Sequence, residues 1–462
     1  MKETKILSTK QAITKIQAVV LIAIVLVAVI VGSVAYLLTR PGAGKETIDF
    51  WHAESWVGAV TQFQWAIDQF EKENPDIHVV AHVVTYAEIW TKALAAIKAG
   101  NPPDMIWNIV DLTVTAYETG ALVPVDDMIA ELGTKYGGWI GAAITSQWWD
   151  GHYWGVPAWY GAQLLMYHPS ILQKYCNTTV PPKTWSEMLD YAEKCNNPPD
   201  SYGVGLSTGK NLFAQEQIYG WMCPVNATPF DKSGTLRFDN PATVAAYTFY
   251  SDLAKFASPG SNTWTWTEME QGFPANKFAM GIYFPTGMQA MKDLGSHDVA
   301  IAPVPLPDGK WLEMAGIDAG FPNQCLVYPF SLCVFKEAVN RGHYEAVKKW
   351  ISFALRPDIA GQWMPTACLG WPVPLRDVLN SSTYWNNPYV SYFHDQMKVY
   401  TDPVIMNGGR LYGFEWGLVN KKIGEISGAL IMAEAIEKIT AGGTSPVDSV
   451  KWAAGKMADI VG

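Results

Sequence analysis

The sequence predicts an α/β protein built around a parallel sheet, with an additional apolar segment near its N-terminus. Two observations predict the sheet: short apolar strands alternate with helices over residues 47–107, and one of these strands has a clear period of two. The third observation is length. With 462 residues, of which 49% are hydrophobic, the chain is too long for one compact domain and can fill two cores.

The first part of the chain predicts one strand-helix-strand-helix-strand unit. We expect its five elements, in that order, at residues 48–51, 56–74, 77–84, 87–99 and 105–107. The first helix ends at Asn74 because the residue before Pro75 avoids the helical region. Gly100 ends the second helix, and a run of two prolines and an aspartate turns the chain into the third strand.

Polar residues follow the first and third of these strands. His52 and Glu54 come after the first, and Asn108 and Asp111 after the third. In a parallel α/β sheet ligands lie beyond the carboxyl ends of the strands, so these four residues are candidate ligand contacts. The alternative for each is a solvated loop residue.

Several segments resemble a known family in their order and spacing. They are FW opening a strand, FEKENPDIHV, KAGNPPDMI, GHYWGVPAWYGAQLLMYHPSIL, PPKTWSEM, FAMGIYFPTGM and VAIAPVPLPDG, and together they cover nearly everything after residue 45. The chain resembles the extracellular solute-binding proteins of ABC importers, specifically the maltose-binding-protein-like sugar-binding group.

The resemblance implies a type II periplasmic-binding-protein fold, in which two α/β lobes are joined by hinge strands. Lobe 1 is expected from residues 47–158 and 305–372, and lobe 2 from residues 159–304 and 373–462. The C-terminal part predicts a long helix over residues 416–440 and a final helix that starts at Ser445 and Pro446.

The N-terminus predicts a membrane anchor. Residues 16–38 carry no charge and are long enough to cross a bilayer. Four lysines precede this segment, so residues 1–15 are expected in the cytoplasm, and everything after residue 40, including a linker at 39–46, on the extracellular side. The stretch KQAITKIQAVV also resembles the pilin-like export signals of archaeal surface-binding proteins, and that resemblance implies cleavage near Ala12 and Ile13.

Charge and cysteine content exclude some functions. A net charge of -10 argues against a nucleic-acid partner. All six cysteines follow the apolar segment, where disulfides persist, but they allow 15 pairings and their spacing does not predict a zinc site. Sequons at Asn177, Asn226 and Asn380 are consistent with glycosylation outside the cell.

The aromatic content favours a sugar-binding cleft, since 21 Trp and 21 Tyr exceed what two cores require. Aromatic faces stack on sugar rings, while carboxylates, amides and guanidinium groups bind the hydroxyls. The candidates for stacking are Trp51, Trp107, Trp159, Tyr160, Tyr283, Trp371 and Trp416. The candidates for hydrogen bonding are His52, Glu54, Asn108, Asp111, Asp318 and Arg410. The resemblance supports His52, Glu54, Asn108, Tyr160, Tyr283 and Trp416 most directly.

Signals for an enzyme are few. Residues 205–209 fit the GxSxG pattern of a hydrolase nucleophile, but the residues that follow do not clearly open the helix that this pattern needs. We therefore expect no catalytic residue, metal or cofactor. The predicted protein is a monomeric, membrane-anchored binding protein that delivers a sugar or oligosaccharide to an ABC permease. The alternatives are a membrane-tethered glycoside hydrolase and a binding protein for a non-sugar solute, such as a peptide or polyamine.

Overall fold

The structure is a computed structural model that describes residues 45–86, 88–415 and 418–462. The predicted membrane segment at residues 16–38 and the export signal lie outside the described residues, as do most of the linker and Trp416. Among the described residues, no helix is long and apolar enough to cross a membrane.

Eleven strands occur in the described part of the chain. They are β1 (Glu46–His52), β2 (Ile77–Val83), β3 (Met105–Ile109), β4 (Trp148–Trp149), β5 (His152–Tyr153), β6 (Val156–Ala162), β7 (Leu164–Tyr167), β8 (Tyr202–Val204), β9 (Phe278–Tyr283), β10 (Ala300–Ala302) and β11 (Val327–Val334). They form two main sheets and one hairpin.

The first sheet has the strand order β2-β1-β3-β11-β6. β1 is parallel to both β2 and β3, so the predicted unit of alternating strands and helices is confirmed. β11 runs antiparallel to β3 and β6 and returns to this sheet from far along the chain. Parallel β1 and β3 bring their carboxyl ends to one edge of the sheet, as the sequence predicts.

The second sheet has the strand order β10-β7-β9-β8. Here β7 is antiparallel to its neighbours β9 and β10, whereas β8 and β9 are parallel. β4 and β5 form the separate hairpin that Asp150 and Gly151 predict. Both turn residues have positive φ, 51° and 84°, which a tight two-residue hairpin requires.

The helices surround both sheets. Before β11 they are α1 (Val57–Glu73), α2 (Ile89–Lys98), α3 (Val110–Glu118), α4 (Asp126–Lys135), α5 (Gly141–Thr145), α6 (Pro169–Cys176), α7 (Trp185–Cys195), α8 (Leu212–Met222), α9 (Pro241–Ala254), α10 (Trp266–Gly272), α11 (Gly287–Asp293) and α12 (Lys310–Ala315). After β11 they are α13 (Lys336–Asn340), α14 (Tyr344–Ala354), α15 (Pro357–Ala367), α16 (Arg376–Leu379), α17 (Ser382–Trp385), α18 (Pro388–Tyr392), α19 (His394–Tyr400), α20 (Pro403–Gly408), α21 (Ile423–Gly428), α22 (Ile431–Thr440) and α23 (Pro446–Val461).

We call the part of the protein built on the first sheet the first lobe and the part built on the second sheet the second lobe. Helices α1, α14 and α15 pack together beside the first sheet, and α8, α9, α22 and α23 pack together in the second lobe. The chain leaves the first sheet between Ala162 and Leu164 and returns to it at Val327. The expected lobe boundaries were residues 158 and 305. β6 extends the first sheet four residues past residue 158, and α12, which packs on α9 of the second lobe, follows residue 305.

The predicted helix caps of the second lobe are confirmed. The side chain of Thr184 accepts a hydrogen bond from the Glu187 amide at the start of α7. The side chain of Ser445 accepts one from the Asp448 amide, and Pro446 occupies the first turn of α23. Each cap satisfies an amide that has no partner within its helix.

The prediction of one long helix over residues 416–440 is wrong. The described residues form two helices there, α21 and α22, because Leu430 has the left-handed conformation with φ at 56°. A left-handed residue interrupts the repeating hydrogen bonds of a helix and redirects its axis. Apolar periodicity alone did not reveal this break.

Candidate functional site

The carboxyl end of β1 places Glu54 at the boundary between the lobes. Its side chain is fully buried, and Oε1 accepts a hydrogen bond of 2.5 Å from the hydroxyl of Tyr86, which follows β2. Oε2 is buried without a hydrogen-bond partner. Burial raises the pKa of Glu54 to about 8, and the carboxyl group of Glu270 adds to this rise, while the Tyr86 hydrogen bond opposes it.

The second lobe presents acidic and aromatic groups to the same place. On α10, Glu270 accepts a hydrogen bond of 2.8 Å from the Tyr283 hydroxyl at the end of β9. Also on α10, Trp266 donates from Nε1 to Glu216 Oε2 at 2.9 Å. The rings of Trp266 and Tyr86 have centroids 6.2 Å apart, so the two lobes meet at these side chains.

A second buried carboxyl group belongs to the first lobe. Asp111, in the first turn of α3, accepts a hydrogen bond of 3.2 Å from the Tyr328 hydroxyl. The hydroxyls of Tyr328 and Tyr412 lie 2.8 Å apart, and Tyr412 also contacts the Ser427 hydroxyl at 3.2 Å. Asp111 Oδ1 is buried without a partner, and burial raises the pKa of this carboxyl to about 6.

Glu216 links these two groups of residues. Burial raises its pKa to about 8, and the nearby Asp111 adds to the rise against the opposing hydrogen bond from Trp266. Burial also raises the pKa of Glu270. We call the set of Glu54, Asp111, Glu216 and Glu270, together with Tyr86, Trp266 and Tyr283, the carboxyl cleft.

The carboxyl cleft is rich in hydrogen-bond acceptors and poor in positive charge. In the described part of the chain, the main groups that shift the pKa values of its four acids are hydroxyls, an indole and other carboxyls, with no lysine or arginine among them. Two carboxyl oxygens, one on Glu54 and one on Asp111, have no donor. A ligand that brings hydroxyl donors would satisfy them. Tyr86, which contacts Glu54, and Trp266, which contacts Glu216, offer aromatic faces.

His52 and Asn108 lie at the predicted strand ends but are buried. The His52 ring stacks on Phe63 in the core of the first lobe, with centroids 4.4 Å apart, and burial lowers its pKa to about 4. Asn108 Oδ1 accepts from the Ile109 amide, whereas its Nδ2 is buried without a partner. Asn108 therefore keeps one donor available, as a ligand contact would.

Three predicted stacking residues pack against other aromatic side chains or backbone. Trp159 is fully buried and makes an edge contact with Trp107 at 4.9 Å between ring centroids. Tyr160 is also fully buried and donates its hydroxyl to the Met406 carbonyl at 2.6 Å. Trp371 packs on Phe284 at 4.4 Å between ring centroids. We leave these three side chains out of the carboxyl cleft because their faces are already covered.

The remaining predicted site residues are dispersed. Asp318 is exposed on the loop after α12. Arg410 is half-buried, donates to Asn226 Oδ1, and lines a separate pocket of about 260 Å³ that Glu415 also borders. Trp416 follows this pocket in the chain and lies outside the described residues. Of the predicted residues, Glu54, Asp111 and Tyr283 lie in the carboxyl cleft.

Four residues of the carboxyl cleft were not predicted: Tyr86, Glu216, Trp266 and Glu270. Tyr86 follows β2 and could have been found by applying the strand-end rule to all three parallel strands. Glu216 could have been found because it is the only charged residue of α8, and an acid in a buried helix needs an explanation. Trp266 and Glu270 lie on a short helix whose pattern does not distinguish them.

The GxSxG segment forms a structural loop. Ser207 is fully buried and donates its hydroxyl to the Trp264 carbonyl at 2.7 Å. Its amide donates to Gln217 Oε1, and the Asn211 amide group donates to the Ser207 hydroxyl. These contacts engage the hydroxyl in holding the loop before α8.

The two sheets and the helices that surround them form a two-lobed α/β fold. The chain matches the family described as bacterial extracellular solute-binding protein over residues 65–391, and it belongs to that family. This agrees with the resemblance seen in the sequence, and it identifies a binding protein rather than an enzyme.

Two relatives of this chain are named as periplasmic binding proteins. YcjN of Escherichia coli strain K12, named as a putative ABC transporter periplasmic-binding protein, is 23% identical over 86% of this chain and 88% of its own length. UgpB of Pectobacterium atrosepticum, named as an sn-glycerol-3-phosphate-binding periplasmic protein, is 26% identical over 71% of this chain and 74% of its own.

Solved structures of the same fold carry several ligands. A solute-binding protein of Thermotoga lettingae bound to α-D-tagatose superposes with a TM-score of 0.72 at 20% identity, over 90% of this chain and 100% of that one. Maltose-bound MalE3 of T. maritima gives a TM-score of 0.73 at 18% identity, with the same coverage. UgpB of Mycobacterium tuberculosis with glycerophosphocholine gives 0.72 at 16%, over 90% of this chain and 98% of that one. These likenesses establish the fold.

Proposed function

We propose that the protein captures an uncharged sugar or oligosaccharide in the carboxyl cleft and delivers it to the permease of an ABC importer. The observation that carries the proposal is the unpartnered buried oxygen Glu54 Oε2, on the carboxyl group that Tyr86 contacts, with the half-buried ring of Trp266 across from Tyr86. A second unpartnered oxygen, Asp111 Oδ1, belongs to the acid near Glu216. Sugar hydroxyls donate to such oxygens, and sugar C-H faces pack on such rings.

Ligand binding closes the two lobes over the sugar. Glu54 and Tyr86 belong to the first lobe, and Glu216, Trp266 and Glu270 belong to the second, so a ligand between them contacts both lobes only when they are closed. Differential affinity for the closed form shifts the equilibrium toward it. The permease then recognises the surfaces of the paired lobes.

The charge of the carboxyl cleft supports an uncharged ligand over a phosphorylated one. A phosphate group would need arginine, lysine or backbone donors to offset its charge. The strongest neighbours of the four acids are instead hydroxyls, an indole and other acids. A ligand such as sn-glycerol 3-phosphate, after which several relatives are named, is therefore disfavoured here.

The N-terminal segment supports attachment to the membrane. Residues 16–38 carry no charge and follow a lysine-bearing N-terminus. We infer that this segment holds the protein on the extracellular face, whether or not the chain is first cut near Ala12. Of the three sequons, Asn177 and Asn380 are exposed and open to glycosylation, whereas Asn226 accepts a hydrogen bond from Arg410.

The test is isothermal titration calorimetry of the full-length protein in detergent against D-glucose, D-tagatose, maltose, maltotriose and sn-glycerol 3-phosphate, with chromatography of each mixture afterwards. We expect saturable binding of at least one uncharged sugar, recovered intact, and no binding of the phosphate. Preferred binding of the phosphate would contradict the ligand class. Consumption of a sugar would instead support the alternative of a tethered glycoside hydrolase. If none of the sugars bound, the result would support a non-sugar solute.

Matched variants locate the binding site. Glu270→Gln keeps the shape of a cleft side chain and removes an acceptor charge, so the affinity for the sugar should fall about tenfold. Glu345→Gln makes the same change at an exposed position of α14 and should leave affinity unchanged. Equal affinities for both variants would place the ligand elsewhere.

A further inference from the structure

Two cysteine side chains of the second lobe face each other. Cys176 is the last residue of α6 and Cys195 the last residue of α7, and their Sγ atoms are 3.6 Å apart. The two helices pack side by side, so this contact joins the ends of neighbouring elements. The sulfur atoms need to approach by roughly 1.5 Å to reach the bonded distance of about 2.05 Å, which small rotations about the Cα-Cβ bonds provide.

The surroundings of this pair differ from those of the other cysteines. Cys176 is half-buried at the start of a loop that includes the exposed Asn177 and Val180, so a reagent in solvent reaches its sulfur. Cys195 is buried directly behind it. Burial raises the pKa of the Cys176 thiol, and the nearby Lys194 side chain partly offsets this rise.

The other four cysteines are buried in the described structure. Cys333, for example, directs its Sγ to the Ile106 carbonyl at 3.8 Å inside the first sheet. Cys368 lies close to Glu54 and Glu270, where burial raises its thiol pKa. Among the six, Cys176 therefore combines access from solvent with a second thiol in contact.

We propose that Cys176 and Cys195 form a disulfide in the mature extracellular protein. The thiolate of Cys176 attacks a small-molecule disulfide, such as oxidised glutathione, and releases one reduced glutathione. The thiolate of Cys195 then attacks Cys176 Sγ in the mixed disulfide and releases the second. The two protein thiols lose two electrons and two protons, and the glutathione disulfide gains them. Extracellular conditions favour the oxidised form.

The bond would tie the end of α6 to the end of α7 and constrain the loop between them. Closing this loop reduces the conformational freedom of the unfolded chain and so stabilises the second lobe. Helices α6 and α7 pack on each other and contribute no side chain to the carboxyl cleft. Sugar affinity should therefore not depend on the redox state of the pair.

The test is peptide mapping of the full-length protein after oxidation with glutathione disulfide, alkylation under denaturing conditions and digestion without reductant. We expect one cross-linked species that joins the peptides of Cys176 and Cys195 and separates on reduction. Recovery of both cysteines as alkylated thiols would overturn the proposal, as would linkage of either one to a different cysteine.

Thermal unfolding provides a second measurement. Reduction of the native protein should lower Tm by roughly 2–6 °C. Cys176→Ser should have the same Tm with and without reductant, whereas Cys333→Ser should keep the difference, whatever its absolute stability. A difference that persists in Cys176→Ser would assign the redox effect to other cysteines and overturn the proposal.

Discussion

Tyr86 and Glu54 are joined by a hydrogen bond of 2.5 Å, in which the tyrosine hydroxyl donates to a fully buried carboxyl group. The two residues follow adjacent parallel strands, β2 and β1, so the sheet itself brings them together. The same tyrosine ring lies 6.2 Å from Trp266 of the other lobe. Tyr86 thus orients the acid on its own lobe and contacts the opposite lobe.

Tyr86→Phe tests the first of these roles. The ring and its contact with Trp266 remain, but Glu54 loses the donor that orients Oε1, so we expect sugar affinity to fall about 5- to 20-fold. The measurement is calorimetric titration with the sugar that binds best to the parent protein.

Tyr117→Phe is the matched control for that variant. Tyr117 also donates its hydroxyl to an acid, Asp150, but at the surface of the first lobe. Its loss should leave affinity within about twofold of the parent value. If Tyr117→Phe and Tyr86→Phe weakened binding equally, the effect would be general and the cleft assignment would fail.

Trp266→Leu tests the aromatic face of the second lobe. Leucine keeps an apolar side chain but removes the flat ring and the indole donor to Glu216, so affinity should fall about tenfold or more. Trp148→Leu removes an exposed tryptophan of the β4-β5 hairpin and should bind as the parent does. Intrinsic fluorescence during titration should lose its ligand response only in Trp266→Leu; an unchanged response there would contradict the assignment.

The cleft acids predict that closure of the empty protein depends on pH. Burial raises the pKa of Glu54 and of Glu216 from 4.5 to about 8, so between these values the closed cleft holds protons that an open, hydrated cleft releases. The contribution of these groups to the closed state is fully present below pH 4.5 and is lost as the pH rises to about 8. The nearby Glu270 carboxyl adds to the rise in the Glu54 pKa, whereas the hydrogen bond from Tyr86 opposes it. The Cys368 thiol also lies close to Glu54.

Small-angle scattering of the unliganded protein measures this opening. The radius of gyration should be larger at about pH 8.5 than at about pH 5, and the change should shrink in Glu54→Gln/Glu216→Gln, whose side chains stay neutral. Saturating sugar should keep the parent protein compact at both values. A pH-independent radius in the parent protein would show that the acids do not oppose closure.

His168 predicts a stability effect that is separate from binding. It is fully buried at the start of α6, with Nδ1 2.7 Å from the Asp298 carbonyl and Nε2 2.9 Å from the Phe273 carbonyl. His168→Leu removes the polar contacts of the ring with these two carbonyl oxygens and should lower the free energy of unfolding by about 2–4 kcal/mol in urea titrations. His394→Leu, at an exposed position, should change it by less than about 0.5 kcal/mol. Equal effects would mean that the buried bonds contribute nothing.

Local patterns in the sequence were sufficient to place part of the site. Glu54 and Asp111 were predicted because residues after parallel strands share one edge of the sheet, a rule that needs no knowledge of the rest of the fold. Trp159 and Tyr160 were predicted as stacking residues from the aromatic content, and Tyr160 also from the family resemblance. Every residue of β6 is buried, however, and aromatic residues in such a strand look alike whether they bind a ligand or fill a core. The burial of Trp159 was therefore not predictable from its spacing.

The sequence by itself determined the α/β class, the first parallel strands and their helices, the helix caps at Thr184 and Ser445, and the family. These depend on residues close together in the chain, where spacing and turn chemistry act directly. Only the tertiary structure decided which acids meet across the cleft, that Trp266 faces Tyr86, and that the Cys176 and Cys195 side chains are in contact. Each of these contacts joins segments that are far apart in the chain and meet only when the protein folds. Such contacts do not produce a periodic pattern of residues in either segment, so they cannot be predicted from local spacing.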